Sequence, residues 1–396
     1  MKVLAIHNFH RKNSASGDDN VFKNETKLLE DNNVKVTRYF VSNDQFDDAG
    51  VIGKIRITLS MLWSRKHYKN VKSLIIKEKP NIVHIHTFFP LLSPSILYAA
   101  KETECKVVAT LHDTRFICPC ATSLRGTKLC NDCGDGRFLR MVKYKCYKNS
   151  KLQSAIVAFV FLYHRKRKTF YNQIDRYICL NENQIQLLVN IGFDRKKIIK
   201  KYNFVPDTAI DDNYSIHIEI PERYAVFYGR IGEEKGIHLL MKIWDKLCDI
   251  PLVVMGGGPL QDDFSEWAKN QKQVFYLGYV PHNECMQIVK QSEFVVFPSI
   301  WYEGCSMTVI EAECFGKALV VTDLGFSAEA IENGYNGLKI PLGDVECFVT
   351  EIRKLWNSPE LCKKMGLNAR KDYEAKYMPE DNIKQLISIY ENCENA

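Results

Sequence analysis

Several common features are missing from this sequence, and each absence excludes a class of protein. No apolar run approaches the roughly 18 residues that cross a bilayer, which excludes a transmembrane helix. No internal repeat or low-complexity tract is evident, which excludes solenoid and disordered chains. No Asp-x-Asp triplet occurs, so a catalytic Mg²⁺ or Mn²⁺ held by paired carboxylates is not indicated. What remains, 46% apolar and 26% charged residues, is the composition of an ordinary globular protein.

The first residues also lack the long apolar stretch and the small-residue cleavage site of a signal peptide. The sequence MKVLAIHNFH instead reads as a first β-strand. We therefore expect the protein to stay in the cytoplasm. The 14 cysteines do not change this expectation, because secreted disulfide scaffolds are far shorter than 396 residues.

Charge is distributed unevenly along the chain. Residues 1–205 carry 36 Lys and Arg against 17 Asp and Glu, whereas the remainder carries 18 against 30. The basic half indicates an anionic partner, namely nucleic acid, a phosphorylated substrate or an acidic membrane surface, or simply a solvated basic face. Nucleic acid is the weakest of these, because no known binding module is present and the aromatic residues are not interleaved with the basic run.

Short β-rich runs alternate with helix-compatible stretches throughout the chain. Most of the runs are apolar on both faces, as in the central strands of a parallel sheet covered by helices. Two successive βα series predict an α/β fold of two doubly wound, Rossmann-like domains. The predicted strands are Lys2–His7, Lys35–Val41, Ile82–Thr87, Lys106–His112, Arg176–Asn181, Tyr224–Gly229, Leu252–Met255, Val274–Gly278, Phe294–Pro298, Ala318–Thr322 and Gly337–Ile340.

A break in the pattern separates the two domains. Residues 203–223 combine proline, acidic residues and little helical periodicity. We therefore predict a first domain over residues 1–205 and a second over 206–378. The last helix, within residues 379–396, has no strand after it and is predicted to pack back on the first domain.

Charged residues follow two strands of the second domain. Glu303 stands at the entrance of a predicted helix that follows a strand, and Glu311 lies eight residues later. Arg230 and Lys235 follow an earlier strand, between glycines. A helix entrance together with two cations suits a diphosphate, and a carboxylate one or two turns into the helix can accept hydrogen bonds from vicinal hydroxyls. Taken alone, the two glutamates also fit ordinary helix charges.

The order of these motifs resembles a known family. GR-x4-KG, GGGP, E-x7-E and EAIENGYNGLKIP follow one another as in the retaining glycosyltransferases of family 4, which have the GT-B fold of two Rossmann-like domains facing a central cleft. The resemblance extends over essentially the whole chain. It implies a donor-binding second domain and an acceptor-binding first domain.

The resemblance also implies roles for individual residues. Gly229, Arg230 and Lys235 would hold the donor diphosphate, and Glu311 the ribose hydroxyls. Glu303 would contact the donor sugar, while the amides of Gly304, Cys305 and Ser306 would complete the pyrophosphate cradle.

Two positions of the first domain match the family as well. His112, in TLHD, corresponds to a histidine beside the transferred sugar, although a lone histidine can also be structural. Gly17 corresponds to a glycine loop that lets the backbone approach the sugar phosphate. Many relatives have two adjacent glycines there, whereas this chain has Ser16-Gly17-Asp18, which leaves the loop geometry open.

Five cysteines crowd into 29 residues of the first domain: Cys118, Cys120, Cys130, Cys133 and Cys146. Four thiolates in such a segment can bind a structural zinc ion, but the spacing matches no standard zinc module. Free or redox-sensitive thiols are the alternative. The segment 118–146 also resembles an insert in a subgroup of the family, an acceptor-side lid held together by Cys118, Cys130, Cys133 and Cys146.

An apolar run next to a basic run indicates membrane contact. Ala155–Tyr163 contributes nine apolar residues and is followed by HRKRK. The run is too short to span a bilayer but suits a helix at an anionic interface, on the inner face of the plasma membrane. A buried domain helix that ends in surface charge is the alternative.

These observations predict a retaining, metal-independent glycosyltransferase of the hexosyltransferase type. The donor would be a nucleotide diphosphate sugar, with UDP the default and GDP open, and the acceptor a glycan or a polyprenyl-diphosphate-linked glycan in polysaccharide synthesis. Arg230, Lys235, Glu303 and His112 would take part in catalysis. The alternatives are a sugar-nucleotide epimerase or phosphorylase of the same architecture, and an inert nucleotide-sugar-binding scaffold of a polysaccharide-assembly complex.

Overall fold

The computed structural model describes residues 1–11, 17–207 and 219–394. The chain divides into two compact units. The first comprises Met1–Arg125, Cys130–Asn203 and Glu380–Ala396, and the second comprises Gly126–Leu129 and Phe204–Pro379.

A parallel sheet of six strands forms the centre of the first unit, in the order β2-β1-β3-β4-β7-β8. Its strands are β1 Lys2–Phe9, β2 Lys35–Ser42, β3 Ile82–Ile85, β4 Lys106–Leu111, β7 Arg176–Cys179 and β8 Ile198–Lys200. Two further strands, β5 Leu124–Arg125 and β6 Lys128–Leu129, pair in a separate small sheet. The side chains of β3 are buried along its whole length, because helices cover both faces of the main sheet.

The strands of this unit are connected mainly by helices. These are α1 Gly17–Asp31, α2 Asp44–Asp47, α3 Val51–Ser60, α4 Arg65–Glu78, α5 Ser95–Glu102, α6 Arg140–Lys143, α7 Lys151–Lys166, α8 Thr169–Asn172 and α9 Glu182–Asn190. Local capping defines several of their starts. For example, the side chain of Asn181 accepts a 2.8 Å hydrogen bond from the backbone N–H of Gln184 at the start of α9.

The C-terminal helix, Pro379–Glu394, packs on the first sheet. Its Ile383, Leu386 and Ile389 share a core with Val3, Leu29, Ile82, Val108 and Ile178 of β1, α1, β3, β4 and β7. The first unit therefore needs residues from both ends of the described chain to complete its core.

The apolar run predicted to lie at a membrane is instead largely a core helix. It lies within α7, where Val157, Ala158, Val160 and Phe161 are at most 3% exposed and join the main core of the unit. Phe159 is exposed, at 59%. The alternative of a domain helix that ends in surface charge describes this segment. None of the helices in the described parts of the chain has the length and apolar character needed to cross a bilayer.

The second unit has a parallel sheet of six strands in the order β11-β10-β9-β12-β13-β14. The strands are β9 Ala225–Tyr228, β10 Leu252–Met255, β11 Val274–Tyr276, β12 Phe294–Phe297, β13 Ala318–Thr322 and β14 Gly337–Ile340. Numbered within the unit, this is the 3-2-1-4-5-6 order of the Rossmann fold. The helices are α10 Ile237–Trp244, α11 Gln261–Ala268, α12 His282–Gln291, α13 Met307–Cys314, α14 Gly325–Ala330, α15 Val345–Trp356 and α16 Pro359–Lys376.

The prediction of an α/β fold with two doubly wound domains is confirmed. Each predicted strand has a counterpart in one of the two six-stranded sheets. The sequence reading missed the short strand β8 and the β5–β6 pair. Of the predicted linker, residues 208–218 lie outside the described chain.

Candidate functional site

The candidate donor site of the second unit lies where the strand order reverses. Strands β9 and β12 are neighbours in the sheet, although three helices and two strands separate them in sequence. In doubly wound sheets this switch point opens a crevice at the carboxyl ends of the strands, and ligands bind there. The residues predicted to bind the donor follow these two strands.

Lys235 and Glu303 meet at this edge of the sheet. Lys235 Nζ lies 2.6 Å from Glu303 Oε1, and the Ser299 hydroxyl lies 2.9 Å from the same oxygen. The Lys235 side chain is 18% exposed and that of Glu303 is 7% exposed. The ammonium carries three N–H donors, so its contact with Glu303 leaves capacity for an anion. The structure thus brings two of the predicted site residues into direct contact.

Arg230 follows β9, as Lys235 does, but its side chain is more exposed to solvent than that of Lys235. Its Nε is 3.5 Å from Glu234 Oε1, and its side chain is 45% exposed. The backbone carbonyl of Glu234 accepts hydrogen bonds from the Ser299 hydroxyl and the Ile300 N–H, at 3.1 and 3.0 Å. These two bonds tie the segment after β9 to the segment after β12, and so position Arg230 at the edge that carries Lys235.

Glycines make this close approach of backbone segments possible. Gly229 and Gly256 both have φ of +137°, and a Cβ at Gly256 would lie 1.8 Å from the carbonyl oxygen of Gly229. Gly236 has φ of +74°, and a Cβ there would lie 1.9 Å from the carbonyl oxygen of Pro298. A side chain at Gly256 would therefore push the ends of β9 and β10 apart, and one at Gly236 would push the start of α10 away from the segment after β12.

The helix predicted to form the pyrophosphate cradle begins slightly later than expected. Helix α13 starts at Met307, with Ser306 as its N-cap residue, so Gly304 and Cys305 lie in the loop before the first turn. The positive end of the helix dipole faces this loop. The residues of the predicted cradle therefore precede the helix rather than forming its first turn.

Glu311 lies in α13 close to a buried tyrosine. The Tyr228 hydroxyl donates a 2.9 Å hydrogen bond to the backbone carbonyl of Thr308 and also contacts the Glu311 carboxyl. Burial raises the pKa of Glu311 to about 8, and the hydrogen bond with Tyr228 opposes this only in part. At neutral pH the carboxyl is therefore mainly protonated until a ligand or cation stabilises its charge.

In the first unit, His112 directly follows β4 and is partly exposed. Its Nε2 lies 3.0 Å from Nδ1 of His86, which directly follows the neighbouring strand β3. Burial lowers the pKa of His112 to about 3, so the ring is neutral at physiological pH. Gly17 is the first residue of α1, so Asp18 of the predicted loop lies in the helix, while Ser16 lies outside the described chain.

The sequence reading missed the residues that support these positions. In the second unit they are Ser299 and Tyr228. In the first they are His86, beside His112, and the buried Glu25, which lies within 3.3 Å of His84, His86 and Lys201. The spacing of HIHT, at the end of a predicted strand, was the available signal for the two histidines. Glu25 gave no signal, because its partners lie 59 to 176 residues away in sequence.

The cysteine cluster is drawn together around Cys120. Its thiol is hydrogen-bonded to those of Cys118 and Cys146, and the bond with Cys120 lowers the pKa of Cys118 to about 6. All 14 cysteines are free thiols. Within the described ranges, two groups of side chains have the spacing to share a metal ion, and neither contains a cysteine. The predicted zinc site stays a prediction, and its ligand set omitted Cys120, the thiol that links Cys118 to Cys146.

Two family models match the chain in succession. The model described as Glycosyltransferase Family 4 matches residues 20–208, and the model described as Glycosyl transferases group 1 matches residues 214–372. The first match covers most of the first sheet, and the second covers the whole second sheet with the candidate donor site.

Among curated relatives, the chain is 25% identical over 175 residues to O-antigen chain mannosyltransferase C of Escherichia coli. That match covers 43% of this chain and 47% of the relative, so the chain spans about half the length of this relative. It is 20% identical over 350 residues to 2-deoxystreptamine N-acetyl-D-glucosaminyltransferase of Niallia circulans, covering 82% of this chain and 80% of the relative.

The fold is shared with solved structures of low sequence identity. Anabaena HepE, solved in complex with UDP, superposes with a TM-score of 0.64 at 14% identity, and the match covers 99% of this chain and 100% of HepE.

Proposed function

Because the chain belongs to the family 4 glycosyltransferases of GT-B fold, we propose that it transfers a sugar from a nucleotide diphosphate sugar to a glycan or lipid-linked acceptor, with retention of anomeric configuration. The observation that carries this proposal is the contact of Lys235 with Glu303 at the switch point of the second sheet, beside Arg230 and the loop before α13. UDP is the proposed nucleotide, supported by the UDP complex of the similar HepE structure.

In the proposed mechanism, two cations stabilise the leaving diphosphate. Negative charge grows on the phosphate as its bond to the sugar breaks, and preorganised donors aimed at that charge lower the barrier. Arg230 offers a planar fork of donors, and Lys235 offers a point charge that Glu303 holds in place. The positive end of the α13 dipole adds to the field.

The acceptor needs no separate side-chain base in this mechanism. Its hydroxyl attacks the anomeric carbon from the face that the leaving group departs, and the leaving phosphate oxygen takes its proton. His112 is proposed to contact the transferred sugar, as the family resemblance implies. Glu311 is proposed to accept hydrogen bonds from the ribose hydroxyls, which favours its ionised form.

A thermal-shift screen against UDP-, GDP- and ADP-sugars tests the donor assignment. A ligand that binds only the folded protein raises its stability, by about 2.7 kcal/mol at a concentration 100 times its Kd. We expect a selective rise in Tm with one or more UDP-sugars. If the GDP- or ADP-sugars raised the Tm to the same extent, the assignment of UDP as the donor nucleotide would be wrong. If none of the three classes raised it, the proposed donor site would be contradicted.

The stereochemistry of transfer is tested separately. NMR of the product's anomeric proton, once an acceptor is found, tests retention.

We also propose that the first unit binds an anionic membrane surface, through helix α3 rather than through α7. Ile52, Ile55 and Leu59 lie on one face of α3 and are 84%, 57% and 72% exposed. Lys54 and Arg56 on the same helix are exposed as well. An exposed apolar face flanked by cations suits insertion among anionic headgroups, which would bring the enzyme to a polyprenyl-diphosphate-linked acceptor.

Replacing Ile52 and Ile55 by Asp tests this surface. We expect the double variant to lose most binding to vesicles that contain anionic phospholipid, because it removes apolar contact and adds like charge. Wild-type binding should weaken as salt is raised. Leu367→Asp is the matched control, since Leu367 is a similarly exposed leucine, 59%, on α16 of the second unit. Equal vesicle binding by the double variant and the wild type would contradict the proposal.

A further inference from the structure

A buried chain of side chains leads from a lysine to His112 in the first unit. Lys201 Nζ lies 3.0 Å from Glu25 Oε2, and Glu25 Oε1 lies 3.1 Å from His86 Nε2. His86 Nδ1 then lies 3.0 Å from His112 Nε2. The side chains of Lys201, Glu25 and His86 are at most 3% exposed. Glu25 of α1 and three residues that directly follow strands β8, β3 and β4 are thus connected in a line, with His112 at its partly exposed end.

The two imidazole rings are arranged for a bond within their common plane. The planes of His86 and His112 differ by only 19°, and the ring centroids are 5.2 Å apart. With nitrogens 3.0 Å apart, this is a side-by-side arrangement rather than face-to-face stacking. One of the two nitrogens must therefore carry the proton and the other must offer a lone pair.

The charge at the buried end of the chain is fixed. Burial opposes ionisation of Glu25, but the Lys201 ammonium and His86 together hold the pKa of that carboxyl well below its usual range. Burial also lowers the pKa of His86 to about 4. At physiological pH the chain therefore consists of a carboxylate followed by two neutral imidazoles, and each ring carries one proton.

A carboxylate only accepts hydrogen bonds, so it determines the direction of the others. Glu25 Oε1 and His86 Nε2 are 3.1 Å apart, an ion-pair distance, and neither atom has a partner that meets hydrogen-bond geometry among the described residues. The negative charge of the carboxylate favours the His86 tautomer that carries its proton on Nε2, facing Glu25. Its Nδ1 is then a lone pair and accepts from Nε2–H of His112. This leaves Nδ1 of His112 without a proton.

We propose that Glu25 and His86 are positioning residues that fix the tautomer of His112, so that its Nδ1 accepts a hydrogen bond from a hydroxyl of the transferred sugar. The inference rests on the proposed function for the identity of the ligand. The tautomer itself is a property of the unliganded protein and can be measured separately.

His84 contacts the same carboxylate but does not belong to the chain. Its Nδ1 is 3.3 Å from Glu25 Oε1 and 2.7 Å from the Tyr390 hydroxyl, while its Nε2 is 2.8 Å from the Thr110 hydroxyl. Glu25, His84 and His86 have the spacing to share a metal ion. Lys201, however, already places a positive charge against Glu25. Tyr390→Phe therefore disturbs the same buried cluster without touching the path to His112, and serves as the matched control.

Nitrogen-15 NMR of histidine-labelled wild-type protein tests the tautomer directly. We expect the His112 resonances, identified by their loss in His112→Asn, to show a protonated Nε2 and an unprotonated Nδ1. Glu25→Gln should reverse this order. In this variant the amide oxygen of the new side chain turns towards Lys201, which can only donate, so the amide NH₂ faces His86 Nε2. His86 must then carry its proton on Nδ1 and donate it to Nε2 of His112. The same variant should lose about 10- to 100-fold in kcat/KM, because Nδ1–H would then face the sugar hydroxyl, which would have to turn its own O–H away from His112 and accept instead of donate.

Tyr390→Phe should keep the wild-type tautomer and stay within about twofold of wild-type kcat/KM. A wild-type His112 protonated on Nδ1 would overturn the proposal, as would an unchanged tautomer in Glu25→Gln or the same reversal in Tyr390→Phe. A stoichiometric metal ion in the purified protein would overturn it too, since His86 Nε2 would then be a ligand. If Glu25→Gln does not fold, the wild-type spectrum still shows which nitrogen of His112 carries the proton, and so tests the proposal. Failure of the donor screen would remove the proposed function and leave the tautomer result standing.

Discussion

Replacing Arg230 by Ala should lower turnover by about 10²–10³-fold while leaving the protein folded. The loss is large because the guanidinium is proposed to stabilise charge that appears on the diphosphate only as the sugar leaves. The fold should be unaffected, since the Arg230 side chain is 45% exposed and its contact with Glu234 is a surface ion pair at 3.5 Å. Such pairs contribute at most about 1 kcal/mol. Steady-state kinetics and thermal denaturation of the same preparation measure the two effects.

Arg353→Ala is the matched control for this variant. Arg353 is an exposed arginine of α15 in the same unit. Its guanidinium lies 2.8 Å from Asp249, in the segment between α10 and β10, at the edge of the sheet opposite the candidate site. We expect the control to keep wild-type kcat and Tm. If Arg230→Ala turned over donor at a near-normal rate with an intact fold, the proposed role of the cation pair would be wrong.

Donor binding should release close to one proton from Glu311 at pH 7. The pKa of this carboxyl is raised to about 8 by burial in the free protein, so it is mainly protonated at neutral pH. Hydrogen bonds donated by the ribose hydroxyls favour the ionised form and lower the pKa, which expels the proton. Isothermal titration calorimetry in buffers of different ionisation enthalpy measures the number of protons released per donor bound. Affinity should rise between about pH 6 and 8, by up to about tenfold per pH unit.

Glu311→Gln provides the comparison, because the amide has a similar shape and does not titrate. The variant should release no proton from this position and should bind donor with a flat pH dependence over the same range. The pH dependence of folding stability runs the other way from that of donor affinity: it falls as pH rises. A folded-state pKa above the unfolded value makes the wild type lose stability from about pH 4.5 to pH 8, so Glu311→Gln should melt higher than wild type at pH 8 and equally at pH 4. Identical proton release by both proteins would show that Glu311 does not face the donor.

The sheets were predictable from the sequence because their central strands are buried on both faces. Continuous apolar runs such as those of β4 and β13 leave little choice of structure. Strand β8 was missed because it has only three residues, in a basic segment. The misreading of α7 has another cause. The composition of Ala155–Tyr163 shows that this part of the helix is apolar, but it does not show whether the apolar side chains pack in a protein core or lie at a membrane.

The site residues were predictable one at a time, but their contacts were not. Arg230, Lys235 and Glu303 could be located because they follow strands in recognisable motifs. The sequence suggested that Lys235 and Glu303 would each bind part of the donor. The structure shows them bound to each other at 2.6 Å across 68 residues of sequence. The chain from Lys201 to His112 depends on similar long-range approaches, which local spacing cannot reveal.

The position of the C-terminal helix has a consequence for how the protein is made. During synthesis the ribosome releases residues 1–203 first, yet the core they form also requires Ile383, Leu386 and Ile389. The second unit is almost entirely translated before those residues emerge, so the first unit cannot complete its core until the second unit has been made. His84 acquires its Tyr390 partner only after the second unit has been translated. Nascent chains therefore complete the surroundings of the buried histidines only after nearly all of the second unit has been translated.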